Sequence, residues 1–160
     1  MTNYRDLRDH LIKLLQGGQA FAPFETAVEN FPFEMRGTRA PGFDHSAWQL
    51  LEHIRIAQWD IVEFSLNRKH ASPEWPEGYW PKDDAPASEK DWQSSIKAIK
   101  KDLEKMRDVV TSPTTDLFAK IPHGTGQTIL REALLIAEHN AYHLGQLVML
   151  RKILGIWPPR

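Results

Sequence analysis

The sequence predicts an all-α bundle of four main helices. Three observations carry this reading: apolar residues recur at helical spacing in four segments, cap and stop residues bracket those segments, and strand-like alternation is almost absent. The first segment spans about residues 3–16, with Leu7, Leu11, Leu14 and Leu15 on one stripe. Gly17-Gly18 interrupts it, and residues 20–28 can resume it. Residues 31–44 read as loop or a single turn, because Pro32, Gly37, Pro41 and Gly42 fall there.

Ser46 offers an N-cap, and Gln49 three residues later completes a capping-box pattern. From there to about Asn67, Leu50, Ile54, Ala57, Ile61 and Phe64 keep helical spacing. The irregular segment 68–87 follows, with Pro73, Pro76, Pro81 and Pro86 and the aromatics Trp75, Tyr79 and Trp80. Ser88 with Asp91 restarts a helix through Trp92, Ile96, Ile99, Leu103, Met106 and Val110, until Pro113 stops it. Thr128 caps the last helix, which runs to about Leu154 and ends at Gly155. Its apolar residues cover most of its circumference, the pattern of a helix buried among others. The roughly 20 residues of segment 68–87 can extend over ~66 Å, whereas a 20-residue helix is about 30 Å long. Helices 2 and 3 can therefore lie parallel across a long crossover.

A chain of 160 residues fits one domain, 1–160. Lys plus Arg number 20 against 21 Asp plus Glu, so the formal charge of −1 gives no electrostatic reason to expect nucleic acid or an anionic membrane as partner. The absence of cysteine excludes a disulfide scaffold, a thiolate zinc site and a cysteine nucleophile, and it suits a reducing compartment. The first ten residues carry charges where a signal peptide needs an apolar stretch. No run approaches the roughly 18 apolar residues of a membrane span. The expectation is a soluble, cytoplasmic protein.

Seven histidines are present: His10, His45, His53, His70, His123, His139 and His143. His139 and His143 stand four apart on the most apolar helix, so their rings share a face one turn apart and can grip one ion. His53 lies mid-way along the second helix among apolar neighbours. Three imidazoles from two helices can make a site for Zn²⁺, Ni²⁺ or Fe²⁺, with positions left for water or substrate. Such pairs are common without metal, but buried imidazoles need hydrogen-bond partners, and an almost wholly apolar helix offers few. Asn140 follows His139, so the Glu of a His-Glu-x-x-His metalloprotease is missing, and Glu138 points about 100° away around the helix.

The stretch Ser46-Ala47-Trp48-Gln49-Leu50-Leu51-Glu52-His53-Ile54 pairs with Glu138-His139-Asn140-Ala141-Tyr142-His143-Leu144-Gly145-Gln146. Together they resemble the DinB-like superfamily over nearly the whole chain. Arg36-Gly37 and Arg131-Glu132-Ala133 add to the likeness. The resemblance implies a four-helix bundle in up-down-down-up order and a divalent metal held by three histidines, here His53, His139 and His143. It also implies a homodimer. Relatives act as thiol-dependent transferases or isomerases with low-molecular-weight thiols, or carry the description of metal-dependent hydrolases, so the resemblance supplies no substrate.

Gln49 and Asp60 on the second helix, and Glu132 and Gln146 on the last, share the histidines' faces. Each can orient a ligand or contact substrate, or serve as a solvated or helix-pairing residue. Glu52 points to the exterior or a neighbouring helix. Tyr142 can present its hydroxyl to the site or pack at an interface. His10, His45, His70 and His123 read as surface residues, each open as a fourth ligand, with His45 more simply part of the helix start. Trp75, Tyr79 and Trp80 form either a pocket wall or pegs that anchor the loop. Gly124-Thr125-Gly126 lacks the Lys of a phosphate loop and reads as a turn. Three functions stay open: a metal enzyme, a non-catalytic metal-stabilised bundle that binds a ligand or partner, and a bundle whose histidines are structural.

Overall fold

Ser46, Ser88 and Thr128 each turn a side-chain oxygen onto the backbone N–H three residues ahead, and a long helix begins at each. At Ser46 the Gln49 side chain reaches back to the Ser46 N–H, closing the capping box. A computed structural model describes residues 4–159. Its helices are α1 (Arg5–Gln16), α2 (Phe24–Val28), α3 (Ala47–Leu66), α4 (Glu89–Thr111) and α5 (Ile129–Ile153), with no strand among the described residues. The expected start at Asn3 lies outside those residues. Where residues 20–28 could have resumed the first helix, only α2 forms. Gly17 and Gly18 hold φ of 70° and 76°, left-handed values that break the helix, and Pro23 delays its return. Short 3₁₀ turns at Phe33–Met35 and Glu77–Tyr79 punctuate the two long loops.

The core consists of two apolar clusters. One joins Val28 and Phe31 to Leu50, Leu51 and Ile54 of α3, Trp92 and Ile99 of α4, and Leu144, Leu147 and Leu150 of α5. The other joins Leu11 and Leu15 of α1 to Ile61, Val62, Met106, Val110, Ala133 and Ile136. Helix α5 contributes to both, as its apolar circumference requires. Polar pairs link α3 to α4 along their length: the Ser95 hydroxyl donates to Glu52, the Gln58 amide to the Ile99 carbonyl, and Lys105 pairs with Glu63. No described helix is long and apolar enough to cross a membrane.

The crossover loop, 68–87, is held back onto α3 rather than hanging free. The Ser46 hydroxyl donates to the Asp84 carbonyl, and the Gln49 amide donates to the Asp84 carboxylate at 3.0 Å. At the loop's far end Gly37 packs so closely that a Cβ there would meet the Ala85 Cβ at 2.6 Å and its Cα at 3.2 Å. Both are parts of fixed backbone or a one-atom side chain, so neither can rotate away. Gly37→Ala is therefore expected to destabilise the fold by ~1–3 kcal/mol, the usual cost of overpacking, measured by urea denaturation. A stability within about 0.5 kcal/mol of the wild type would show that the loop does not rest on this contact.

Candidate metal centre

Helices α3 and α5 bring the three predicted histidines together. His53 projects from the middle of α3, and His139 and His143 from successive turns of α5. One nitrogen from each lies within 4.8 Å of the others, the only such group of three or more among the described residues. Ring centroids are 4.9 Å apart for His53 and His139, and 4.5 Å for each of the other two pairs. His53 and His143 are buried, and His139 is partly so.

The hydrogen bonds fix which nitrogens face inward. His53 Nδ1 lies 2.9 Å from the carbonyl oxygen of Tyr79. A carbonyl only accepts, so Nδ1 carries the proton and the neutral ring turns the Nε2 lone pair to the cluster. His143 Nδ1 likewise donates to Gln146 Oε1 at 2.6 Å, which leaves Nε2 for the cluster. His139 Nε2 stands 3.0 Å from His53 Nε2, and in the metal-free ring set it donates to that lone pair. Asn140 Oδ1 is buried beside the His139 ring with no partner of good hydrogen-bond geometry among the described residues. It is an acceptor suited to a His139 Nδ1–H once Nε2 turns to an ion. Two pre-set lone pairs and one orphaned acceptor fit the residues to a nitrogen-ligated metal, and outer acceptors of this kind are what ligand imidazoles usually have.

Electrostatics points the same way. Burial pushes His139 and His143 down to about 4, helped in each case by the neighbouring imidazoles. Burial also lowers His53, against the Tyr79 carbonyl. All three are neutral at pH 7, the state a metal needs.

The crossover loop closes one side. The Trp80 indole stacks on the His53 ring at 3.9 Å and 1°, and its other face stacks on His45 at 3.8 Å and 17°. His45, expected simply at a helix start, thus lies one indole away from a central histidine. Of the other expected residues, Gln146 does orient a ring of the cluster, that of His143. Asp60 does not touch the cluster; it accepts from the Tyr79 hydroxyl and His70. Gln49 is taken up by the cap and Asp84. Glu132, 1% exposed, pairs with Arg131. Glu52 turns to Arg55 and Ser95 rather than the cluster. Tyr142 is 65% exposed and sets its ring edge against His143. His70 is packed on Asp60 and Trp59, not free on the surface, and His123 donates to the Phe64 carbonyl. Trp75 is 70% exposed, so of the three loop aromatics only Tyr79 and Trp80 serve the site. Gln127 closes the turn at Thr125.

A helical protein in which three imidazoles converge between two helices has a group of side chains that could hold a metal ion. The chain belongs to the DinB superfamily, whose family model matches residues 4–147. No curated protein and no solved structure matches it.

The low values for His139 and His143 set a pH dependence. Between about pH 4 and the ordinary histidine value of 6.5, the unfolded chain holds protons on these two rings and the folded chain does not. Stability of the metal-free protein therefore rises with pH across that window and gains nothing more from these groups above it. Urea denaturation of chelator-treated protein from about pH 4.5 to about pH 6.5 reads this directly, and a flat or falling stability would contradict burial of neutral rings.

Proposed function

We propose that the protein is a divalent-metal enzyme, with His53, His139 and His143 as ligands, acting as a hydrolase or as a transferase that uses a low-molecular-weight thiol. The observation that carries this reading is the convergence of three neutral imidazoles whose inward nitrogens lie within 4.8 Å of one another. An all-nitrogen set of this kind suits Zn²⁺, Ni²⁺ or Fe²⁺. When bound, the ion supplies a Lewis acid that lowers the pKa of water or of a thiol.

The chain's own residues do the rest. The Tyr79 carbonyl and Gln146 hold two rings, and Trp80 shields the His53 face from water. A groove of about 480 Å³ adjoins the site, sharing Gln146 and His45 with it and continuing over Asp44, Leu50, Tyr142 and Met149. That volume suits a small molecule. Asp44 is the one carboxylate of its wall, and no Lys or Arg lines it among the described residues, which favours an uncharged or amine-bearing substrate over a polycarboxylate. The chain has no cysteine, so any thiol arrives as a cosubstrate.

The same proposal takes the chain as one domain in up-down-down-up order. The successive pairs Glu52–Ser95, Gln58–Ile99 and Glu63–Lys105, which ascend both helices together, support parallel α3 and α4. It also takes the protein as a cytoplasmic homodimer. Tyr142, Met149 and Ile153, exposed along one stripe of α5, support a second copy there.

Elemental analysis of protein purified without chelator or histidine tag tests the reading. The expected result is about one equivalent of a transition metal in the wild type and under about a tenth of that in His53→Ala, His139→Ala and His143→Ala. Gln146→Ala should keep the site but weaken it by ~10–100-fold, since it removes only the acceptor behind His143. No metal after incubation with Zn²⁺, Ni²⁺ and Fe²⁺ would overturn the proposal. Metal bound with every remaining position filled by protein atoms would favour the non-catalytic bundle instead.

A further inference from the structure

Asp60 and His53 stand seven residues apart on α3, two turns and ~10 Å along one face. Tyr79, from the crossover loop, bridges them. Its hydroxyl donates to Asp60 Oδ2 at 2.6 Å, and its own carbonyl accepts from His53 Nδ1 at 2.9 Å. The other carboxylate oxygen of Asp60 is occupied by His70 Nε2 at 2.7 Å, and the His70 ring sits edge-on to Trp59. Asp60 is 8% exposed, so its carboxylate is pinned from two sides in a poorly solvated place. The loop backbone is also tight here: a Cβ on Gly78 would meet the Pro73 Cβ at 2.7 Å. The tyrosine ring is thus anchored at one end of a strut whose other end is the carbonyl that selects the His53 tautomer. The next residue, Trp80, lies flat on the same ring.

We propose that Asp60 is a positioning residue for the metal centre: by holding the Tyr79 hydroxyl it seats the Tyr79 carbonyl on His53 Nδ1, and so keeps the His53 Nε2 lone pair turned toward the ion. The inference rests on reading the three histidines as ligands. Among the described residues the Tyr79 carbonyl is the one hydrogen-bond partner of His53 Nδ1. If the strut is loosened, the ring can exchange its proton to Nε2, where it blocks metal binding, and each binding event must then reverse that exchange. Asp60 touches neither ligand nor groove, so a change in metal affinity on its substitution reports transmission through Tyr79. A loop anchor of purely structural value would instead lower stability and leave affinity and tautomer alone.

Tyr79→Phe removes one oxygen and keeps the ring; Asp60→Asn keeps the shape and removes the charge. Glu63→Gln, on the same helix as Asp60 and losing only the pairing with Lys105 of α4, is the control. Two measurements are made on each: zinc affinity by competition with a chromophoric chelator, and the His53 imidazole tautomer by ¹⁵N NMR of the metal-free protein, assigned against His53→Ala. The expected result is a wild-type His53 protonated at Nδ1, with both variants gaining Nε2–H and binding zinc about tenfold more weakly, while Glu63→Gln keeps both readings. Wild-type affinity and tautomer in folded Tyr79→Phe and Asp60→Asn would overturn the inference, as would an equal loss of affinity in Glu63→Gln. If Asp60→Asn fails to fold, Tyr79→Phe decides alone. A wild type that takes up no zinc, with a tautomer that still responds to Tyr79→Phe, sinks the metal reading and supports the coupling of Asp60 to His53.

Discussion

Three imidazoles packed around one point place a strict demand on the residues about them. Each ring has two nitrogens, and a buried ring nitrogen needs a hydrogen-bond partner. The outer nitrogens of His53 and His143 find theirs in a loop carbonyl and in Gln146. The inner ones are left with one another, His139 against His53 at 3.0 Å. One shared proton serves that pair poorly compared with an ion that all three lone pairs can address. Burial lowers the proton affinity of the rings, so the cluster is biased to be neutral and open to a metal.

Seen from this constraint, the crossover loop is half of the site. Its Tyr79 carbonyl sets the His53 tautomer, and its Trp80 indole covers the ring and passes the stack on to His45. The loop is in turn fastened to α3 at two points, by Asp60 on Tyr79 and by the Ser46 cap and Gln49 on Asp84. Helix α3 therefore supplies a histidine of the cluster and also the anchors of the segment that orients it. The facing groove, by contrast, lies against α5 and the loop before α3, so access and support come from different sides of the cluster.

Much of this was legible from residues alone, and the pattern of success has a physical basis. Helical spacing states an angle around an axis, so it placed His139 and His143 on one face and predicted that α5 would be buried. It also assigned Gln146 to that face, where it indeed holds His143. Caps are local hydrogen bonds, so Ser46, Ser88 and Thr128 marked their helix starts. Irregular segments have no period, and a backbone carbonyl has no side-chain signature. The Tyr79 oxygen and the His45–Trp80–His53 stack were therefore invisible, although the density of aromatics at residues 75–80 hinted that the loop covers something. Asp60 shows the intermediate case: its face was correct, but its partner came from the loop, so it acts one residue removed from the ring it was expected to touch. His70 was misread for the same reason, because only the loop's return path buries it.

X-ray absorption at the zinc edge, on protein loaded with about one equivalent, reads the coordination itself. Three imidazole nitrogens at about 2.0–2.1 Å, with the remaining scatterer a light oxygen or nitrogen, are what convergence of His53, His139 and His143 on one ion predicts. A shell with a single imidazole, or with oxygen alone, would place the ion elsewhere on the surface and contradict a three-histidine centre between α3 and α5.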